Sequence, residues 1–314
     1  MPEAWDRADG YEPFVGRWSA LVAPRFLLWT GAKKGGDFLD VGCGTGALSQ
    51  AIVDYGARRV EGVDTSEAYL QRARVRTKGS AATASFQLGD ATSLRFPDGT
   101  FDTVVSGLVL NFIPDASIAM SEMKRVAKPG GTIAAYVWDY AAQMQVIRYF
   151  WDAAADLDAA RVAPLDEGRR FSICKPDALE KLFRGSALEN VSTASLDQRA
   201  YFEDFEDYWT PFLGGQAPAP GYLKSLAENE RNRLHDHLKS MLPIRRDGSL
   251  VLNARAWGVR GRKSADAVVE AADLPRKQEP DDISDAPAFD FGSKRRRDLI
   301  SLPSSCERDA VAGS

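Results

Sequence analysis

Short apolar segments alternate with amphipathic segments along the first half of the chain. Runs rich in Val, Leu, Phe and Ala predict strands at 37–41, 59–64, 84–90, 101–106 and 132–137. Helical patterns lie between them at 47–55, 66–76 and 115–127. Strands that alternate with helices at this spacing indicate βαβ units and a mainly parallel sheet with right-handed crossovers.

The pattern changes after Trp138. Residues 140–161 and 175–185 read as helices, and 192–200 as a sixth strand. Residues 202–242 read as further helices, interrupted by a Gly- and Pro-rich segment at 214–220. A last strand at 249–259 predicts an antiparallel addition to the sheet. The fold class is therefore α/β, with a doubly wound, mostly parallel, seven-stranded sheet whose last strand is antiparallel.

The regions outside this core are assigned from composition and position. Residues 1–36 are expected to supply helices ahead of the sheet, where Pro24 should limit any single helix. The ligand-binding domain is expected to span 37–262, with helical insertions at about 140–185 and 201–242 that form a lid. Residues 263–314 are rich in Asp, Pro, Ser and Arg without apolar periodicity, which predicts a disordered tail.

Charge and cysteine content narrow the class of protein. The formal net charge of −4 over 314 residues gives no positive field to attract nucleic acid. Three scattered cysteines, Cys43, Cys174 and Cys306, do not form a disulfide framework and indicate a reducing compartment. No apolar run approaches the length of a membrane-spanning helix. We expect a cytoplasmic protein with no membrane span, no nucleic-acid partner and no metal.

The segment Asp37–Gly46 (DFLDVGCGTG) contains the main candidate for ligand binding. Glycines at 42, 44 and 46 allow a tight turn from the first strand into a helix, and the backbone N–H groups at such a turn bind ligands. Taken alone, the glycines fit either the dinucleotide-binding pattern or the turn that binds S-adenosylmethionine.

Three carboxylates favour S-adenosylmethionine. Asp40, Asp64 and Asp90 fall at or next to the ends of three successive predicted strands, along the crevice where open α/β sheets bind ligands. A carboxylate at Asp40 suits a ligand that carries an ammonium and a sulfonium, and it would repel a pyrophosphate. The alternative for each Asp is that it caps the next helix.

The ordered motifs resemble those of class I S-adenosylmethionine-dependent methyltransferases. The resemblance rests on 40–46, Val63-Asp64, Gly89-Asp90-Ala91, 101–105 and Lys128-Pro129-Gly130-Gly131. It is greatest for the type 11 domain of ubiquinone and menaquinone biosynthesis enzymes, and it covers about 11–262. The resemblance implies a Rossmann-like fold and methylation, at oxygen or carbon, of a small-molecule acceptor.

Site residues follow from this resemblance. Asp40 and the turn should line the methionine part, Asp64 the ribose and Asp90 with Ala91 the adenine. The end of the fourth strand should border the sulfonium, and N-terminal residues should cover the cofactor. The full predicted set is Tyr11, Arg17, Asp40, Gly42, Cys43, Gly44, Gly46, Asp64, Thr65, Asp90, Ala91, Ser106, Gly107 and Leu108.

No general base is identified by the sequence. Asn111 and Asp139 are weak catalytic candidates, since an amide takes no proton and Asp139 also suits a turn. His235 and His237 lie two apart in a helical pattern, on different faces, which predicts surface positions. Cys43 is expected to pack rather than react. Tyr201, Phe205, Tyr208 and Phe212 recur at helical spacing and are expected mainly in the core.

Two other functions stay open from the sequence. A nicotinamide-dependent dehydrogenase would use the same glycine turn, although the chain has no Tyr-x-x-x-Lys motif for the hydride site. A protein that binds S-adenosylmethionine without turnover would keep the same carboxylates.

Overall fold

The described chain contains one seven-stranded mixed sheet. The computed structural model describes residues 16–80, 82–214 and 217–265. The strands are β1 (Asp37–Val41), β2 (Arg59–Asp64), β3 (Thr83–Leu88), β4 (Phe101–Gly107), β5 (Ala127–Trp138), β6 (Glu189–Phe202) and β7 (Leu250–Arg262). Their order is β3-β2-β1-β4-β5-β7-β6. Strands β1 to β5 pair in parallel, whereas β7 runs antiparallel to both β5 and β6. The predicted fold class is confirmed.

Helices connect the strands on both faces of the sheet. They are α1 (Arg17–Thr30), α2 (Ala47–Tyr55), α3 (Glu67–Arg76), α4 (Ala116–Val126), α5 (Gln145–Val162), α6 (Glu167–Arg170), α7 (Pro176–Gly185), α8 (Phe205–Trp209), α9 (Pro218–Ser225) and α10 (Glu228–Met241). The chain moves from β1 to β2 in one direction across the sheet and from β4 to β5 in the other. Right-handed crossovers therefore place α2 and α4 on opposite faces.

Strand β1 lies in the middle of the parallel region, between β2 and β4. All five of its residues are buried, and Phe38, Leu39 and Val41 belong to the main hydrophobic core. A parallel strand covered by helices on both faces is expected to be apolar throughout. The last carboxylate of this strand, Asp40, is therefore held at the buried end of the central strand.

Helix α1 corrects the prediction that Pro24 would limit it. The helix is continuous from Arg17 to Thr30 with Pro24 inside. Proline removes one intrahelical hydrogen bond, to the carbonyl of Ala20. Ala20 is exposed, so water can satisfy that carbonyl. Burial of the opposite face, including Val22 and Phe26, stabilises the helix.

The predicted helical region at 201–242 also needs correction at its start. Tyr201 belongs to β6, where it pairs with Val251 and is 56% exposed. The other members of the aromatic pattern, Phe205, Tyr208 and Phe212, are buried in the core. Strand pairing with β7 overrides the helical spacing at Tyr201, because the long ladder continues to Phe202.

Strand β7 ends at Arg262, and Lys263, the next residue, still makes hydrogen bonds to β5. Lys263 donates its backbone N–H to Gly131 O at 3.0 Å, and its Nζ donates to Ala127 O at 2.9 Å. The rest of the predicted tail, 266–314, lies outside the described residues. Among the helices of the described chain, none combines the length and apolar character needed to cross a membrane.

Candidate methyl-donor site

The turn after β1 is tied to the neighbouring strand. Gly42 and Cys43 both donate backbone N–H groups to Val63 O of β2, at 2.7 and 3.0 Å. Gly42, Gly44 and Gly46 have positive φ values of 73°, 52° and 83°, a conformation that disfavours side chains. The hydrogen bonds to β2 therefore hold the turn in one conformation, and its glycines make that conformation accessible to the backbone.

The glycines differ in the space around them. A Cβ at Gly46 would lie 2.9 Å from the Cα and Cβ of Ala73 in α3, whereas a Cβ at Gly44 would meet nothing within 4 Å. Gly46 thus allows α2 and α3 to pack closely. Gly44 faces open space and lines the cavity beside the turn.

Asp40 is a completely buried carboxylate with one free oxygen. Its Oδ2 accepts a hydrogen bond from Ser49 Oγ at 2.7 Å, while its Oδ1 has no partner within the described chain. Burial raises the pKa of Asp40 to about 7, and the neighbouring charge of Asp64 also raises it. A cation in the cavity would supply the missing partner and favour the ionised carboxylate.

Asp64 holds the turn as well as lining the cavity. Its Oδ2 accepts from Gly44 N–H at 2.8 Å, and its Oδ1 accepts from Ser66 N–H at 2.9 Å. Burial raises the pKa of Asp64, although the hydrogen bonds to Ser66 and Gly44 oppose that rise. A carboxylate offers about four acceptor positions, so Asp64 keeps capacity for the hydroxyl groups of a ligand.

Asp90 is exposed and differs from the other two carboxylates. Its Oδ1 accepts hydrogen bonds from the backbone N–H and the hydroxyl of Thr92, both at 2.8 Å. These bonds lower the pKa of Asp90. With Ala91 it lines a second cavity that also contains Asp64 and Thr65.

The two cavities form one cleft. Both are lined by Gly42, Asp64, Thr65, Val109 and Phe112. The cleft lies at the carboxyl ends of β1, β2 and β4, next to the point where the strand order reverses. The structure therefore brings the three predicted carboxylates to one cleft.

The end of β4 forms a wall of the cleft next to the turn. Gly107 and Leu108 line the cleft, whereas Ser106 is completely buried and is not part of the lining. A Cβ at Gly107 would lie 2.8 Å from Tyr136 Oη, so glycine leaves room for that tyrosine. Leu108 has a φ of 64° and donates its N–H to Tyr136 O at 2.8 Å.

The predicted catalytic candidates adjoin lining residues in sequence but are not themselves among the described residues that line the cleft. Asp139 is buried, and its Oδ2 accepts from Gln143 N–H at 3.1 Å, which fixes a turn. The amide nitrogen of Asn111 is buried without a hydrogen-bond partner in the described residues. His235 and His237 lie on α10, beside Asp236 and Asp156 respectively, at the surface.

Cys43 packs in a small cluster with Leu70, Ala73 and Phe86. Burial raises the pKa of its thiol well above the usual value, and the charges of Asp40 and Asp64 act in the same direction. A neutral thiol is a poor nucleophile, which supports the packing role.

Two predicted residues cannot be placed at the site. Tyr11 lies outside the described residues, and Arg17 begins α1 with a side chain that is likewise outside them. Ser19 of the same helix does line the cleft.

Sequence reasoning missed several aromatic lining residues. Phe112 follows β4, and Tyr136, Trp138 and Tyr140 lie at alternate positions along and just beyond the end of β5. Because side chains alternate along a strand, these three residues fall on the same side of β5 and its continuation. That period-2 pattern was the available signal.

The donor half of the cleft fits a cationic nucleoside ligand. Asp40 Oδ1 offers an unused acceptor for an ammonium or sulfonium charge, Asp64 has acceptor capacity for ribose hydroxyls, and Gly44 leaves space beside the turn. The carboxylates oppose a pyrophosphate in the same place, since like charges repel.

Comparison with known proteins agrees with this geometry. A family model described as a methyltransferase domain matches residues 39–135. The 2-methyl-6-phytyl-1,4-hydroquinone methyltransferase of Synechocystis is 39% identical over 115 residues, which cover 36% of this chain and 36% of that protein. The demethylmenaquinone methyltransferase of Staphylococcus aureus is 42% identical over 107 residues, which cover 33% of this chain and 43% of that protein. The matches therefore span less than half the length of these curated relatives.

A solved structure supports the same fold. A crystallised Bacillus halodurans protein assigned as a methyltransferase is 17% identical, with a TM-score of 0.50, and covers 77% of this chain and 98% of its own. At this identity the likeness concerns the fold alone. The glycine turn and the three strand-end carboxylates all lie within residues 39–135, which match the type 11 methyltransferase domain.

Proposed function

We propose that the protein transfers a methyl group from S-adenosylmethionine to a small-molecule acceptor. The observation that carries this proposal is Asp40, a completely buried carboxylate whose Oδ1 has no partner in the described chain. Burying such a group is costly unless a ligand of opposite charge completes it. Asp64 and Asp90 border the same cleft, so its donor side is acidic.

The residues on the donor side of the cleft are each proposed to bind one part of S-adenosylmethionine. Asp40 and the turn at Gly42–Gly46 hold the methionine end of the donor, and Cys43, which packs in its small cluster, also lines the cavity there. Asp64 and Thr65 accept the ribose, and Asp90 with Ala91 borders the adenine. Gly107 and Leu108 border the sulfonium, with Ser106 supporting them from beneath.

The donor supplies an electrophilic methyl group on sulfur when it is bound. The residues of this chain then have to orient the acceptor and exclude water from the cleft, and such positioning accounts for about 7–11 kcal/mol in well-oriented reactions. Asp139 and Asn111 are not in the cleft lining, so we assign neither a proton-transfer step.

The acceptor is proposed to be apolar and small. The wall beyond Gly107 is built from Leu108, Tyr136, Trp138 and Tyr140, which suits an apolar ligand. The two curated relatives are named for a phytyl hydroquinone and a demethylmenaquinone. The net charge of −4 disfavours a nucleic-acid substrate, and a cytoplasmic location remains our prediction. A lid role for the helices within 140–185 and 201–242 is part of the same proposal.

Calorimetry with S-adenosylmethionine and with NAD tests the donor assignment. We expect heat of binding with the first ligand and none with the second, and we expect Asp40→Asn to reduce the affinity for the first. Binding of NAD alone would favour the dehydrogenase alternative and overturn the proposal.

Turnover is tested with methyl-labelled donor and a cell extract. Labelled products that partition into an organic phase, and that disappear in the Asp40→Asn variant, would support catalysis on an apolar acceptor. Donor binding without any labelled product would favour a non-catalytic binding protein.

A further inference from the structure

Part of the cleft is lined by aromatic rings that the donor does not account for. Tyr140 lies in the wall that also contains Leu108, and Phe112 lies at the mouth, where it is 37% exposed. The groups that match the charges of the donor lie around the glycine turn and at Asp90, and Phe112 also borders the cavity of Asp90. Tyr140 lines the cavity beside the turn and is not among the residues that line the cavity of Asp90, so the donor leaves its ring available to a second ligand.

Phe171 connects Tyr140 and Phe112 from behind. Its ring centroid lies 5.3 Å from that of Phe112, with the planes at 81°, and 5.7 Å from that of Tyr140, at 53°. Tilted and edge-to-face rings attract each other at these separations. Phe171 packs against the main core and does not itself line the cleft.

The segment that carries Phe171 is firmly held. Its backbone N–H donates to Glu167 O at 2.9 Å, and the buried Glu167 side chain accepts from Trp151 Nε1 of α5. A Cβ at Gly168 would lie 2.8 Å from Tyr140 O, so α6 packs directly on the segment that carries Tyr140. The backbone segments that carry Phe171 and Tyr140 are thus held against each other.

We propose that Phe112, Tyr140 and Phe171 form an aromatic wall that recognises a planar aromatic ring in the methyl acceptor. Phe112 and Tyr140 contact the ring, and Phe171 is a positioning residue that acts through them. A flat ring can use both the faces and the edges of such a wall, whereas a saturated ring of equal size cannot stack. The identification of this ring as the acceptor rests on the proposed function.

The test compares two alcohols of similar size, 1-naphthol and decahydro-1-naphthol, by calorimetry on the full chain saturated with S-adenosylhomocysteine. We expect 1-naphthol to bind at least tenfold more tightly than its saturated counterpart. Phe171→Leu and Tyr140→Leu should each weaken 1-naphthol binding about 3–10-fold, and Tyr140→Phe, which keeps the ring, should restore it. Tyr201→Leu removes an exposed aromatic side chain outside the cleft lining and should change nothing.

Equal affinity for the two alcohols, or leucine variants within twofold of the parent protein, would overturn the aromatic wall. Thermal unfolding and S-adenosylhomocysteine affinity are measured for every variant. If Phe171→Leu fails to fold, the comparison of Tyr140→Leu with Tyr140→Phe tests the proposal. A parent protein that binds neither S-adenosylmethionine nor S-adenosylhomocysteine is tested without them. In that case, selective binding of 1-naphthol would still support the aromatic wall, whereas the proposed function would be refuted.

Discussion

The donor side and the acceptor side of the cleft are built in different ways. The donor side is held mainly by hydrogen bonds from backbone groups, such as those from Gly42 to Val63 and from Gly44 to Asp64. The acceptor side depends on contacts between side chains that are far apart in sequence, such as Phe112 and Phe171. Backbone geometry at a glycine turn is encoded locally, so the donor side is recognisable in a short motif and the acceptor side is not.

The largest effect is expected at Gly46. Gly46→Ala adds the strain of a positive φ, about 1–2 kcal/mol, to a contact at 2.9 Å with the backbone of Ala73, which costs about 1–3 kcal/mol more. We expect urea denaturation to show a loss of about 2–5 kcal/mol, together with loss of donor binding.

Gly130→Ala is the matched control for this substitution. Gly130 has a φ of 72° and no atom within 4 Å of an added Cβ, and it lies away from the cleft. It should lose only the strain energy and keep donor affinity. Equal losses at both positions would mean that the close packing of α2 on α3 contributes nothing.

Asp40 is expected to give the next largest effect, with opposite signs for stability and binding. Its folded pKa of about 7 lies above the usual value of 3.8 for an aspartate, so its contribution to stability is full below about pH 4 and is lost as the pH rises through 7. Asp40→Asn should therefore stabilise the ligand-free protein at pH 8 by about 2–4 kcal/mol. Chemical denaturation at pH 5 and pH 8 measures this, and a destabilised variant at pH 8 would contradict it.

The affinity for the donor should also depend on pH through Asp40. Because the donor prefers the ionised carboxylate, and the ligand-free pKa is about 7, affinity should rise about tenfold between pH 6 and pH 8 and then level off. The ammonium of the donor titrates equally in Asp40→Asn, so the difference between the two proteins isolates Asp40. Parallel pH profiles for both proteins would be inconsistent with a direct role.

Substitutions of Asp64 and Asp90 compare a carboxylate that holds the turn with a carboxylate that is exposed. Asp64→Ala should weaken donor binding about tenfold, in line with about 1.5–3 kcal/mol for hydrogen bonds to a charged group. It should also destabilise the turn, because Gly44 and Ser66 lose their acceptor. Asp90→Ala should weaken binding by no more than about threefold, since its hydrogen bonds are solvent-exposed. Calorimetry on both variants measures this order, and the reverse order would refute it.

The smallest effect is expected at Leu108. Leu108→Gly relieves the strain of a positive φ, about 1–2 kcal/mol, while it loses apolar contacts of similar size. The free energy of unfolding should change by less than about 1 kcal/mol and donor affinity by less than twofold. Turnover should fall, because the side chain lines the acceptor side. Unchanged turnover would remove Leu108 from that side.

The predictability of each part follows from how far apart its residues lie in the chain. The turn, β1, β2 and α3 with its cap at Ser66 could be predicted because their signals lie within a few residues. Pro24 and Tyr201 were misread because tertiary packing and strand pairing decide their structure. The second role of Asp64, holding Gly44, depends on a contact across 20 residues.

The contact between Tyr140 and Phe171 likewise could not be predicted from local sequence. Tyr140 and Phe171 lie 31 positions apart, and the short helix α6, packed on the segment after β5, helps to bring their rings together. No local pattern encodes such a meeting. Composition indicated an apolar lid region without identifying which rings reach the cleft.

The close packing of α6 against the segment that carries Tyr140 has a practical consequence for protein engineering. Neither Tyr140 nor Phe171 takes part in the hydrogen bonds that shape the glycine turn. Libraries that vary these two positions together can therefore be screened for altered selectivity among alcohols or phenols with little risk to cofactor loading. Gly168 should be left unchanged in every library member, because any side chain there would displace the scaffold on which both varied positions rest.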